Sequence, residues 1–278
     1  MDLLLTLASS AVISGVVGAV AGYLGQRRLA ERQAAINYQS SARTRLYEVI
    51  GPLRYQMLVA CKDVLRRINN HHHLNAYDMQ PDHYYAHSFL YRLLRPLAIG
   101  ELVEREMNYA DFSVDADVVG DLLRFQTAAY RFLTGSDPVE YHSGLDWTSQ
   151  SQHVFRDNLR VAARRLIQED AQGRQFVVDY GAFAEMVRDP GADHTLAPMA
   201  RLFATCKGNL FENPVWWVRI VGYAYACQWF LNRNGQAAGF ATRDLPIQTM
   251  LAAPTDAEIA ARLGDYPEIF DRVMNESL

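Results

Sequence analysis

Leu3 to Leu24 reads Leu-Leu-Leu-Thr-Leu-Ala-Ser-Ser-Ala-Val-Ile-Ser-Gly-Val-Val-Gly-Ala-Val-Ala-Gly-Tyr-Leu, without a charge, and Arg27 and Arg28 follow almost at once. As a helix rising 1.5 Å per residue this run extends about 33 Å, enough to cross the hydrocarbon core of a bilayer. Lipid offers no partner to a backbone N–H or C=O, so the run is expected to be helical despite its glycines. A cleaved signal peptide opens with basic residues and has a shorter apolar stretch, whereas this chain opens Met-Asp. Residues 1–25 therefore read as a transmembrane helix.

Small residues recur through the run at Ala8, Ala11, Gly15, Gly18, Gly22 and Gly25, in alternating steps of three and four. Such spacing aligns them into one narrow seam on a helix. Apolar side chains gain little by leaving lipid for one another, so membrane helices associate through close van der Waals contact, which small residues permit. The same period favours a left-handed supercoil. Self-association of the chain is the expectation. The bland reading is that Ala and Gly are common in membrane helices.

Orientation follows from the flanks. Only Asp2 precedes the run; Arg27, Arg28, Arg32, Arg43 and Arg45 follow it, against Glu31 and Glu48. Basic residues stay on the cytoplasmic side, which puts the N-terminus outside and the bulk of the chain in the cytoplasm. Cys61, Cys206 and Cys227 are far apart and form neither a disulfide framework nor a metal pattern, in keeping with a reducing compartment. Arginine replaces lysine almost throughout, with only Lys62 and Lys207 present; this bias suggests a GC-rich bacterial genome and hence a bacterial inner membrane.

The chain has 278 residues and a formal net charge of -4. Residues 26–67 carry nine basic and three acidic side chains, leaving the remainder near -10. A basic segment beside anionic lipid headgroups accounts for this asymmetry, with Arg27, Arg28 and Arg32 as the first contacts. The acidic remainder argues against nucleic acid as a partner. Residues 26–70 read as a basic stalk helix with an apolar stripe from Leu46 to Ile68 at helical spacing, kinked or broken at Gly51-Pro52. A polar loop is expected from Asn69 to Asp82.

Beyond it, residues 71–278 read as an all-α cytosolic domain. Helical patterns occupy 81–98, with an extension at 101–109, then 117–133, 148–170, 180–188, 195–206, 214–231 and the segment after Thr255. Phe176-Val177-Val178 reads as an extended connection, since one strand makes no sheet. Val215 to Leu231 is apolar but only 17 residues long, with Arg219 and Gln228 inside. A central arginine costs roughly 2.5–3.5 kcal/mol on insertion, so this piece reads as a buried core helix rather than a second span.

Chemistry is sparse. His83 and His87 stand four apart on an expected helix and could chelate one metal, but no HExxH pattern supplies a general base. Asp111, Asp115 and Asp117 sit where a helix begins, and capping explains them. Arg156, Arg160 and Arg164 share a helix face that would suit a phosphate-bearing ligand or an acidic partner, or else a solvated surface. Glu101, Glu104 and Glu106 read as solvated. No phosphate loop, nucleophile elbow or dinucleotide fingerprint occurs, and no cofactor is implied. In architecture alone the chain is similar to small bacterial effectors of defence and toxin systems, which join a short N-terminal span to a helical cytosolic domain. The leading expectation is a non-enzymatic, self-associating single-pass protein whose helical domain senses or binds a partner and whose assembly perturbs the membrane. The alternatives are a membrane-tethered metal enzyme using His71 to His87 and a scaffold recruiting a soluble protein.

Overall fold

The structure, a computed structural model, describes residues 2–74, 79, 83–108, 111–148, 152–188, 195–204, 206, 209–240 and 242–277; helical side chains at 2–21, 118, 201, 203 and 204 are outside that description. The described chain is all-α apart from one small hairpin.

Helix α1 runs unbroken from Asp2 to Leu74, about 110 Å at the standard rise. The expected kink at Gly51-Pro52 does not end it. Pro52 faces solvent, so water can reach the carbonyl that its missing N–H leaves unpaired, while Ile50 and Leu53 on the opposite face are buried and hold the axis. The polar loop also begins later than its composition suggests, because His71 is drawn into the core. The expected stalk thus has two parts. Every residue from Gly22 to Ser41 is exposed, and from Ala42 onward the stripe Leu46, Ile50, Leu53, Met57, Val64 and Ile68 is buried. Among the described residues no helix is long and apolar enough to cross a membrane. The span expected at residues 1–25, with Ala8, Ala11, Gly15 and Gly18, has its side chains largely outside the described set.

The buried half of α1 packs against α2 (Tyr84–Glu106) and α7 (Pro214–Asn234), and α7 packs in turn on α3 (Ala116–Thr134). α2 passes through Pro96 and Gly100 without interruption. α7 is the centre of the body, with Trp216, Trp217, Tyr223 and Phe230 fully buried. Asn213 caps its first turn, accepting from Trp216 N at 3.2 Å, and Pro214 occupies the first helical position, where no N–H is needed. Several of its polar side chains clasp neighbouring elements. Trp217 Nε1 donates to Met250 O at 2.8 Å, Tyr223 OH to Leu93 O at 3.0 Å, and Gln228 exchanges bonds with Arg243 O and Leu245 N. The core-helix reading of 215–231 therefore holds.

The helix expected over 148–170 is shorter. α4 (Arg156–Arg165) gives way to β1 (Ile167–Glu169), which pairs antiparallel with β2 (Gln175–Val177) through a turn at Gly173, whose φ is +79°. The apolar Phe176-Val177 piece thus has a partner strand after all. α5 (Tyr180–Arg188), α6 (Ala197–Ala204), α8 (Ile247–Leu251), α9 (Ala257–Ala260) and α10 (Tyr266–Asn275) close the body. Asp256 caps α9, accepting from Ile259 N at 2.9 Å.

Candidate functional site

A 3-10 turn at Phe112–Asp115 marks where α1 leaves the body. Asp111 caps the turn through Ser113 N at 3.0 Å and accepts from Tyr38 OH at 2.8 Å; Arg43 donates to Val114 O at 3.0 Å, and Tyr47 OH to Asp115. Capping is therefore only part of the acidic cluster's role, since Asp111 and Asp115 also anchor α1. Outward from this collar Arg27, Arg28 and Arg32 are exposed, Arg27 pairing with Glu31 at 2.9 Å. A Cβ added at Gly22 or Gly25 would meet nothing within 4 Å, so among the described residues nothing in the chain packs on these two positions.

The other expected residues take different places. Arg160 and Arg164 converge on Glu101, whose side chain is only 1% exposed: Arg160 Nε lies 2.8 Å and Arg164 Nε 2.6 Å from its oxygens. Tyr130 OH and Gln126 Nε2 donate to it at 3.0 and 3.3 Å, and Glu104 takes the outer edge of Arg160. Burial alone would raise the Glu101 pKa; the bonds from Arg164, Arg160 and Tyr130 outweigh it and hold it below the usual carboxylate value. Glu101 is thus no solvated residue, and two of the three arginines expected on a ligand-facing surface are held by it. Arg156 lies over the Tyr130 ring at 5.5 Å. His83 occupies the position before the first turn of α2 without a side-chain capping bond, and His87 N bonds to His83 O at 3.1 Å. Among the described residues no group of three metal-ligating side chains occurs.

His71 sits in an aromatic box of Tyr85, Phe89, Phe211 and Trp217, with ring centroids 5.5–6.2 Å away. Its Nε2 lies 3.2 Å from Asn209 Oδ1, and burial lowers its pKa to about 4, so the ring is neutral. Arg219 is fully buried under Trp147, its Nη1 donating to Phe132 O and Gly135 O at the carboxyl end of α3. Burial pulls its pKa down to about 9, a shift that the nearby Asp137 carboxylate only partly opposes, and its Nε and Nη2 have no hydrogen-bond partner among the described residues.

A polar recess lies between α1, α2 and the β2–α5 turn. It has two adjoining lobes of about 400 and 570 Å³, which share Asp63, Tyr84 and Arg92. One face comes from α1, where Asp63, Arg66, Arg67 and Asn70 follow helical spacing; Tyr84, Ser88, Arg92 and Arg95 do the same on α2. Arg67 Nη2 and Arg92 Nη1 both donate to Ser88 Oγ, at 2.9 and 3.2 Å. The Arg67 guanidinium also lies over the Tyr85 ring at 4.4 Å. Arg95 pairs with Asp63 at 3.4 Å. Tyr84 is 66% exposed at the lip and meets Tyr180 edge to face at 5.6 Å. Sequence reasoning missed this recess. Arg66 and Arg67 read as stalk charge, and nothing in a linear pattern tells which polar faces of two helices will meet.

No family model, curated protein or solved structure matches the chain.

Proposed function

We propose that the protein is a single-pass membrane protein of the bacterial inner membrane. It self-associates through the small-residue seam and holds a helical binding body in the cytoplasm. The carrying observation is α1: one helix joins the apolar segment to the core of the body, and its residues Gly22 to Ser41 are exposed on all sides. Most helical stability in proteins comes from packing of one face rather than from propensity. The exposed stretch leaves Tyr23, Leu24 and Leu29 about half or more uncovered, which supports lipid or a second copy as their surroundings. The arginines at 27, 28 and 32 fall where headgroups would meet them, and they support the N-out orientation.

Three measurements test this reading. Carbonate washing of membranes should leave the full chain in the pellet and release a chain lacking residues 2–25; extraction of the full chain would refute the span. Gly18→Leu combined with Gly22→Leu should shrink the particle in detergent, and an unchanged particle size would refute association through the seam. Overproduction should depolarise cells if assembly perturbs the bilayer, and intact membrane potential removes that element.

A further inference from the structure

We infer that the recess between α1 and α2 binds a phosphorylated small molecule bearing a planar ring, a nucleotide in chemical class. The inference stands on the body alone and goes beyond the membrane reading.

Charge is the first ground. Several guanidiniums elsewhere in the body meet carboxylates at short range: Arg131 with Asp137 at 2.7 Å, Arg160 with Glu101 at 2.8 Å, Arg233 with Asp121 at 2.7 Å. The recess differs in concentrating arginines in one place. It gathers four arginines against Asp63 and Asp179. Asp63 is taken by Arg95, and Asp179 accepts from Ala182 N at 2.9 Å at the start of α5. Among the described residues Arg66, Arg67 and Arg92 have no carboxylate partner, so the site is short of anions.

Geometry is the second ground. Ser88 is 3% exposed, and its single neutral hydroxyl receives both Arg67 and Arg92. Each guanidinium has five N–H donors, so this arrangement uses few of them and fixes the orientation of the rest. Stacking on Tyr85 immobilises Arg67 further. Two pre-positioned guanidinium forks suit the oxygens of a phosphate, with little side-chain entropy left to lose on binding.

The third ground is shape. Small-ligand sites commonly enclose about 300–1,000 Å³, and each lobe falls in that range. Tyr84 is exposed and braced by Tyr180, giving a flat ring on which a base can stack beside the arginines. A nucleic-acid polymer fits less well, because the chain outside residues 26–67 is acidic and repels a long polyanion. On the membrane reading proposed above, lipid headgroups are remote as well: Asp63 stands 38 residues along α1 from Gly25, about 57 Å at the helical rise.

The test is calorimetric titration of the full-length protein in detergent with AMP, GMP, CMP and UMP in turn, then with inorganic phosphate and with adenosine. At least one nucleotide should bind saturably at one site per chain. Phosphate should compete more weakly, and adenosine should bind least. Arg92→Gln should weaken nucleotide and phosphate alike by about tenfold or more, the usual worth of a charge-assisted hydrogen bond. Arg66→Gln, at an exposed position, should weaken both without altering the melting temperature. Tyr84→Ala should weaken the nucleotide but leave phosphate unchanged. Four results would overturn the inference: no saturable binding of any nucleotide at millimolar concentration, wild-type affinity in both arginine variants, tighter binding of a short single-stranded RNA than of any mononucleotide, or binding only to phosphatidylglycerol vesicles.

Discussion

Gly222 is where the packing of α3 on α7 can be tested most directly. A Cβ there would lie 2.9 Å from Cε1 and 3.0 Å from Cγ of Phe132, and closer still to Cδ1. The Phe132 ring has no retreat. It is fully buried and meets Phe270 edge to face at 5.2 Å, and Phe270 is in turn held by Tyr225 and Tyr266. Gly222→Ala therefore forces α3 and α7 apart or drives the ring off its rotamer, at a cost approaching about 3 kcal/mol for overpacking. The better helix propensity of alanine returns about 1 kcal/mol. The net loss, about 2 kcal/mol, lowers the melting temperature by about 4–8 °C for a body of this size. Gly120→Ala is the matched control. Gly120 also lies within a helix, α3, but an added Cβ there meets nothing within 4 Å, so only the propensity gain of about 0.5–1 kcal/mol remains and the melting temperature rises. Scanning fluorimetry of the two variants in parallel is sufficient. Adding Phe132→Leu to Gly222→Ala should make the pair less damaging than the sum of the single changes, by more than about 0.5 kcal/mol. A Gly222→Ala protein that melts at or above the wild type would show that α3 and α7 do not cross there at contact distance.

Other substitutions probe the polar interior. Glu101→Ala strands the buried Tyr130 hydroxyl and Gln126 amide and uncouples Arg160 and Arg164; the loss should be about 3–5 kcal/mol, read as a lower urea midpoint, with Glu101→Gln milder. Acid should destabilise the body through His71. Its folded pKa of about 4 lies below the unfolded 6.5, so as pH falls through that window the unfolded state takes up a proton that the folded state refuses. The penalty reaches about 3 kcal/mol. Burial lowers the pKa of His72 and His153 as well, which adds to the slope, whereas Glu101, held below 4.5, gives up its contribution only at still lower pH. His71→Phe should flatten urea midpoints measured between pH 7 and 4.5; curves parallel to the wild type would count against a buried neutral ring.

Much of the fold was legible because it rests on local periodicity. The stripe from Leu46 to Ile68 and the apolar stretch 215–231 each announced a buried helix, and each is one. The failures share a cause in tertiary context. Pro52 reads as a breaker, but a solvent-facing proline flanked by buried Ile50 and Leu53 is carried along by the packing. His71 belongs to a polar triplet, yet the aromatic rings of α2 and α7 make an apolar place for it. Glu101 and Arg160 each read as surface charge, and only the approach of α4 to α2 turns them into a buried pair. The recess at Arg67 and Arg92 was hidden for the same reason: charge can be counted along a chain, but the convergence of two polar helix faces is a property of the packed body.

The collar at the root of the projecting helix has a mechanical consequence. Outside it, α1 is a beam clamped at one end, and a load applied anywhere along such a beam produces its greatest bending moment at the clamp. That clamp consists of Tyr38 on Asp111, Arg43 on the Val114 carbonyl and Tyr47 on Asp115, together with the first buried turns at Ala42 and Leu46. The tilt of the body relative to whatever grips the far end is therefore decided by a few contacts with one short 3-10 turn. A pull or twist on the distal helix arrives first at residues 111–115, the segment that leads directly into α3 and from there to α7.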